Sequence, residues 1–89
     1  MERDRRSRRR KESRENYIGM QCDVPAGTEL LTGPVGGPNG HIGYTSYDVQ
    51  GEIIYYMELD GILSFCVFFH QPVQLENREV DNAWVLASR

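Results

Sequence analysis

Two histidines, His41 and His70, are the side chains of this sequence best suited to exchange a proton near neutral pH. A hydrolytic triad would place one of them beside a nucleophile and an orienting acid. No Gly-x-Ser-x-Gly elbow surrounds Ser46, Ser64 or Ser88, and the histidines fall at opposite ends of the expected strands. No catalytic residue is therefore assigned, and the chain is not expected to be an enzyme. Cys22 and Cys66 lie far apart, with no Cys-x-x-Cys or Cys/His spacing around them. That pattern leaves two buried thiols, or one disulfide joining the first strand to a central one, and gives no zinc ligand set. Neither a metal nor a cofactor is expected.

The stretch Gly33-Pro34-Val35-Gly36-Gly37-Pro38-Asn39-Gly40 invites comparison with phosphate-cradling loops. A Walker-type loop needs a Gly-Lys-Ser/Thr ending and a following helix, and a dinucleotide fingerprint also opens a helix. Here the next residues, His41-Ile42-Gly43-Tyr44-Thr45, read as a strand. The segment is expected to be a mobile structural loop.

Charge is divided unevenly along the chain. Residues 1–16 hold eight of the ten Arg and Lys residues against four acids, a net +4, while residues 17–89 hold only Arg78 and Arg89 against nine acids, a net −7. An asymmetry of this size suggests that the two parts meet different partners, or that the arm folds back on the body. Arg3, Arg5, Arg6, Arg8, Arg9, Arg10, Lys11 and Arg14 have no apolar residue among them, so the arm is expected to be disordered when free. The i,i+4 pairs Glu2–Arg6, Asp4–Arg8 and Arg8–Glu12 would support a helix once a partner is bound.

Arginine rather than lysine dominates, and its planar fork makes bidentate bonds to phosphate and stacks on bases. The run Arg5-Arg6-Ser7-Arg8-Arg9-Arg10-Lys11 resembles the arginine-rich motifs of phage antitermination peptides and viral RNA-export peptides. The resemblance implies RNA or DNA contact through Arg5, Arg6, Arg8, Arg9, Arg10, Lys11 and Arg14.

From Tyr17 onward no 3.6-residue hydrophobic period persists, and β-branched and aromatic runs alternate with Gly, Pro, Asn and Asp. Strands are expected at 17–24, 28–31, 41–49, 52–59 and 62–69, followed by a short strand or single helical turn at 73–76 and a final segment around Trp84. The fold class is all-β: a small antiparallel meander, or an SH3-like or OB-like barrel of five to six short strands, carrying a flexible basic arm. Asp60-Gly61 is a strong hairpin signal and Gln50-Gly51 a weaker one, because a type I′ turn needs positive φ at both central residues.

A two-residue turn at Asp60-Gly61 pairs Leu59 with Ile62, Tyr56 with Phe65 and Ile54 with Val67. One face of that hairpin then carries Ile53, Tyr55, Met57, Leu59, Ile62, Ser64, Cys66 and Phe68, and the other Ile54, Tyr56, Leu63, Phe65, Val67 and Phe69. Both faces are largely apolar, so something must cover the second: the segment Ala83-Trp84-Val85-Leu86, barrel closure, or another chain.

At 89 residues the chain is one domain at most, and a domain this small buries only roughly 60–65% of the surface its unfolded form exposes. No apolar run is long enough to cross a bilayer and no secretory layout opens the sequence, so a cytoplasmic protein without membrane contact is expected. The acidic body would repel a phosphate backbone and suits a protein partner with a basic face. The reading is a non-enzymatic binding or regulatory protein. Its β domain would dock on a partner through Glu52, Tyr56, Glu58, Phe65 and Trp84, while the arm contacts nucleic acid. The alternative is a structural protein that forms homo-oligomers through the apolar hairpin face.

Overall fold

The structure is a computed structural model and describes residues 17–87; the arm of residues 1–16, with its expected disorder, helix pairs and nucleic-acid contacts, lies outside the described residues. The described chain is all-β, with six antiparallel strands: β1 (Gln21–Val24), β2 (Glu29–Leu31), β3 (His41–Tyr44), β4 (Val49–Leu59), β5 (Ile62–Gln74) and β6 (Glu79–Leu86). They form one open sheet in the order β1-β4-β5-β6-β2-β3.

One part of the sheet is a bent hairpin. β1 pairs with β4, Gln21 facing Glu52 and Val24 facing Val49. β2 pairs with β3, Glu29 facing Tyr44 and Leu30 facing Gly43. These partner numbers add to the same total on both sides, before a one-residue shift at Leu31 with His41, so β1–β2 and β3–β4 are the two arms of a single hairpin that turns a corner at residues 25–28 and 45–48.

Side chains make the corner. Thr45 N–H donates to Thr28 O at 3.0 Å and Gly27 N–H to Thr45 O at 2.7 Å, while Thr45 Oγ1 donates to Pro25 O at 2.9 Å and accepts from Thr28 N–H at 3.1 Å. Asp48 Oδ1 accepts the Ala26 N–H at 2.8 Å. The expected single strand at 41–49 is thus broken in two at residues 45–48, a stretch that contains neither glycine nor proline.

Past the corner the two halves attach to different neighbours, β4 to β5 and β2 to β6, which curls the sheet around one core. Val24, Leu30, Val67, Phe69, Val73, Val80, Ala83 and Val85 fill it, with Phe65 and Val49 packed against them. Tyr17 is not in a strand. It begins a turn closed by Met20 N–H to Tyr17 O at 3.0 Å, with Gly19 at φ 94°, and its ring lies edge-on to Tyr56 and Phe65. The first strand is accordingly shorter than expected.

The Asp60-Gly61 turn has φ of 52° and 77°, the two positive values that a type I′ turn demands. Leu59 faces Ile62 and Tyr56 faces Phe65 as expected, but the register then slips: Val67 faces Ile53, not Ile54. Ile54 is the extra residue of a β-bulge, which moves Ile53 onto the core face with Val67 and Phe69. Gln50-Gly51, expected as a weaker turn, lies inside β4, where Gly51 faces Phe69. A Cβ on Gly51 would sit 2.5 Å from both Phe68 O and Val67 Cγ1, so glycine is there for close approach. Residues 73–76 carry no helical turn; Val73 and Gln74 end β5 and pair with Val80 and Glu79. Pro72 sits where the β5–β6 ladder is interrupted, one of the few kinds of place a strand tolerates it.

Candidate binding surface

The outer face of the sheet presents three cross-strand rows, read across β4, β5 and β6: Glu52–Phe68–Asn82, Tyr55–Cys66–Trp84 and Met57–Ser64–Leu86. Cys66 is buried beneath its neighbours, with the Tyr55 and Trp84 rings perpendicular at 6.2 Å between centroids. Burial pushes the Cys66 thiol above its ordinary pKa. Around this row Tyr55 is 52% exposed, Phe68 47% and Leu86 51%, and the bulged Ile54 adds its side chain at the edge. The result is an apolar and aromatic ridge with the carboxylate of Glu52 at one end.

The lower part of the same face is covered from within the chain. The glycine-rich segment expected to be a mobile loop folds over it: Val35 N–H donates to Ser64 Oγ at 2.9 Å, and Gly36 and Gly37 lie against Leu59. Asn39 pins the loop to itself, its Nδ2 donating at 2.8 Å to both Pro34 O and Gly37 O. Ser64 is fully buried and the loop satisfies its hydroxyl. The expected cover, Ala83 to Leu86, instead extends the sheet as part of β6.

Of the five residues expected to meet a partner, the structure brings Tyr56 and Phe65 together as a direct pair on the core face beneath Tyr17. Glu58, exposed at the hairpin end, shares their side of the strand, while Glu52 and Trp84 lie on the outer face. The five therefore do not form one surface. Tyr55, Phe68 and Leu86, which sequence reasoning left out, complete the ridge around Trp84. Their signal was the strict alternation Ser64-Phe65-Cys66-Val67-Phe68-Phe69, which assigns Phe68 to the Cys66 side. The nucleic-acid candidates Arg5, Arg6, Arg8, Arg9, Arg10, Lys11 and Arg14 lie outside the described residues.

The two histidines sit in different depressions. His41 Nδ1 lies 2.8 Å from Glu29 Oε2 and its ring is 4.9 Å from that of Tyr44, on the edge strand β3. His70 lines a cleft beside Asp23 and Asp48. Among the described residues no three His, Cys, Asp or Glu side chains gather as a metal-ligating group. Both cysteines are free thiols rather than a disulfide, Cys66 buried and Cys22 half-buried, and burial followed by the adjacent Asp23 charge raises the Cys22 pKa. No helix among the described residues is long and apolar enough to cross a membrane.

Fold and surface together define a small all-β protein built on one open antiparallel sheet. Comparison with family models, with the curated proteins and with the solved structures finds no match to this chain.

Proposed function

We propose that the chain is a non-enzymatic binding and regulatory protein, whose acidic β domain docks on a protein through the outer ridge while its arginine-rich arm contacts RNA or DNA. The observation that carries the docking half is the ridge itself. The inner face is filled by the chain's own core and the lower outer face by its own loop, yet Tyr55, Phe68 and Leu86 stay open around the half-buried Trp84. Adjacent aromatic side chains at low conformational cost are what interface centres favour. The acidic surroundings favour a partner with a basic rim.

The arm half rests on the eight basic residues within positions 1–16 and on arginine's fit to phosphate. The bent hairpin supports reading the curled sheet as a small barrel of SH3-like or OB-like kind, and two unpaired thiols suit the reducing cytoplasm.

A photo-crosslinking residue installed at Phe68 should capture a discrete protein in the native host, whereas the same group at Tyr44, exposed on the far edge strand, should not. Identical adducts from both positions refute the ridge. Nucleic-acid affinity should fall steeply with salt and vanish on deletion of residues 1–16; no binding by the full chain removes that half. The ridge also supports a second reading, self-association through the hairpin face. A monomer by sedimentation throughout the micromolar range excludes it.

A further inference from the structure

Between the start of β4 and the far half of β5 the sheet comes apart. Gly51 facing Phe69 is the last β4–β5 pair, and beyond it Gln50 and Val49 continue alongside β1 while β5 turns away. On its other edge β5 leaves β6 after Phe68 and rejoins it at Val73. His70, Gln71 and Pro72 therefore lie within β5, at the shift in its ladder with β6, with no register partner on either side. The gap is a cleft of about 760 Å³, within the range of roughly 300–1,000 Å³ typical of ligand clefts.

The walls differ in chemistry. Asp23 and Asp48 stand on the side of β1 and the corner. Asp23 Oδ1 accepts from Gln50 Nε2 at 3.0 Å and Asp48 Oδ1 from Ala26 N–H at 2.8 Å, which fixes both groups and leaves the second oxygen of each to accept a further donor. Among the described residues no lysine or arginine lines the cleft, and His70 stands on its β5 side. Tyr47 supplies an aromatic wall between Pro25 and Pro72, and its ring is held in place because its hydroxyl accepts the Gln74 N–H at 3.0 Å.

We propose that this cleft binds an extended, arginine-bearing segment of a partner protein. The segment's backbone adds to the free strand edge at His70 and Gln71, and its guanidinium meets Asp23 and Asp48 with Tyr47 alongside. A strand without ladder partners is a template for a peptide strand, main-chain bonds giving affinity and side-chain contacts giving selectivity. The negative wall selects a cation. Arginine fits better than lysine because it both forks onto carboxylates and stacks on an aromatic face. The chain's own arm has no apolar residue between Glu2 and Asn16 to lie against Tyr47, Pro25 and Pro72, which assigns the site to a partner. The site is separate from the outer ridge and stands without it.

The test uses the full chain and two blocked six-residue peptides, one alternating valine with arginine and one with glutamine in place of arginine. Amide chemical shifts are followed during titration. The arginine peptide should move the Asp23, Asp48, Gln50, His70 and Gln71 amides and bind about tenfold tighter than the glutamine peptide. Asp23→Asn and Asp48→Asn should each weaken it about fivefold with the rest of the spectrum unchanged, since both side chains are exposed and asparagine keeps an acceptor. Tyr55→Ser on the ridge should leave it intact, which separates this site from the proposed docking surface. Equal affinity for the two peptides, or shifts confined to the ridge, overturns the proposal. So do shifts at these amides on deleting residues 1–16 with no peptide present, which would make the arm the occupant.

Discussion

Phe68 and Phe69 are consecutive in β5 and chemically identical, yet one is 47% exposed and the other 1%. The two faces of the β4–β5 hairpin differ in what covers them. The inner face is sealed by β1, β2 and β6 through the curl of the sheet, and the outer face is only half covered, by a loop. An antiparallel hairpin that is apolar on both sides thus needs no second sheet: curling takes one face, and the other is divided between a glycine-rich cover and a bare ridge. The bare part is where binding is proposed, because it is the apolar surface that folding leaves unused.

Substitutions can break that contrast, the largest effect first. Phe69→Ala should cost about 3–5 kcal/mol in chemical denaturation, much of the stability of a domain this small, while Phe68→Ala should stay within about 0.5 kcal/mol of wild type. Similar losses at the two positions would mean that the faces are equally buried in solution.

Gly51→Ala should cost about 1–3 kcal/mol, because the new Cβ meets the Phe68 carbonyl, a backbone atom that moves only with the whole strand. Stability unchanged in the same melt would show that β4 and β5 do not approach as closely as described. Ser64→Ala should cost about 1–2 kcal/mol by stranding the Val35 N–H, with hydrogen exchange at that amide rising more than at core amides. Uniform exchange would show that the loop does not seal the outer face.

The smallest effect concerns the thiols. Burial keeps both protonated to higher pH than a free cysteine, so thiolate is scarce at neutral pH and alkylation should be slow until the solution is well alkaline. Tyr55→Ala should speed the reaction of Cys66, which it helps cover, and leave Cys22 on β1 unchanged. Equal acceleration would point to general loosening instead of a local cover.

How much of this was legible from the chain depends on how each residue type signals. Asp60-Gly61 was readable because few sequences accept two positive φ values in succession. The bulge at Ile54 was not, since Ile53 and Ile54 are the same residue and either satisfies an apolar face. Gly51 was misread because glycine marks both turns and close approaches, and only the neighbouring strand distinguishes them. The corner at 45–48 was hidden because its turn rests on the Thr45 and Asp48 side chains and not on glycine or proline. The loop at 33–40 was correctly placed outside the strands, but its glycines serve contact with Leu59 and its cover over Ser64 could not be foreseen. Of the surface, Tyr55 and Phe68 were read onto one face with Cys66 but not chosen as candidates, because which hairpin face stays open depends on the curl.

The bent hairpin also bears on how fast the protein folds. From Met20 with Ile53, through the corner, to Leu30 with Gly43, one register persists, and it shifts by one residue only at Leu31, so each pair that forms shortens the loop the next must close. The entropic cost of ordering the chain is thereby divided into small steps that start at the glycine-rich tip. The Asp60-Gly61 turn gives β5 an equally local start against β4. The junction of β2 with β6, represented in the ladder by Leu31 facing Trp84, joins the paired strand residues most distant in sequence. That one contact is the slow event expected to set the folding rate, and the chain's sole tryptophan stands in it as a natural optical reporter.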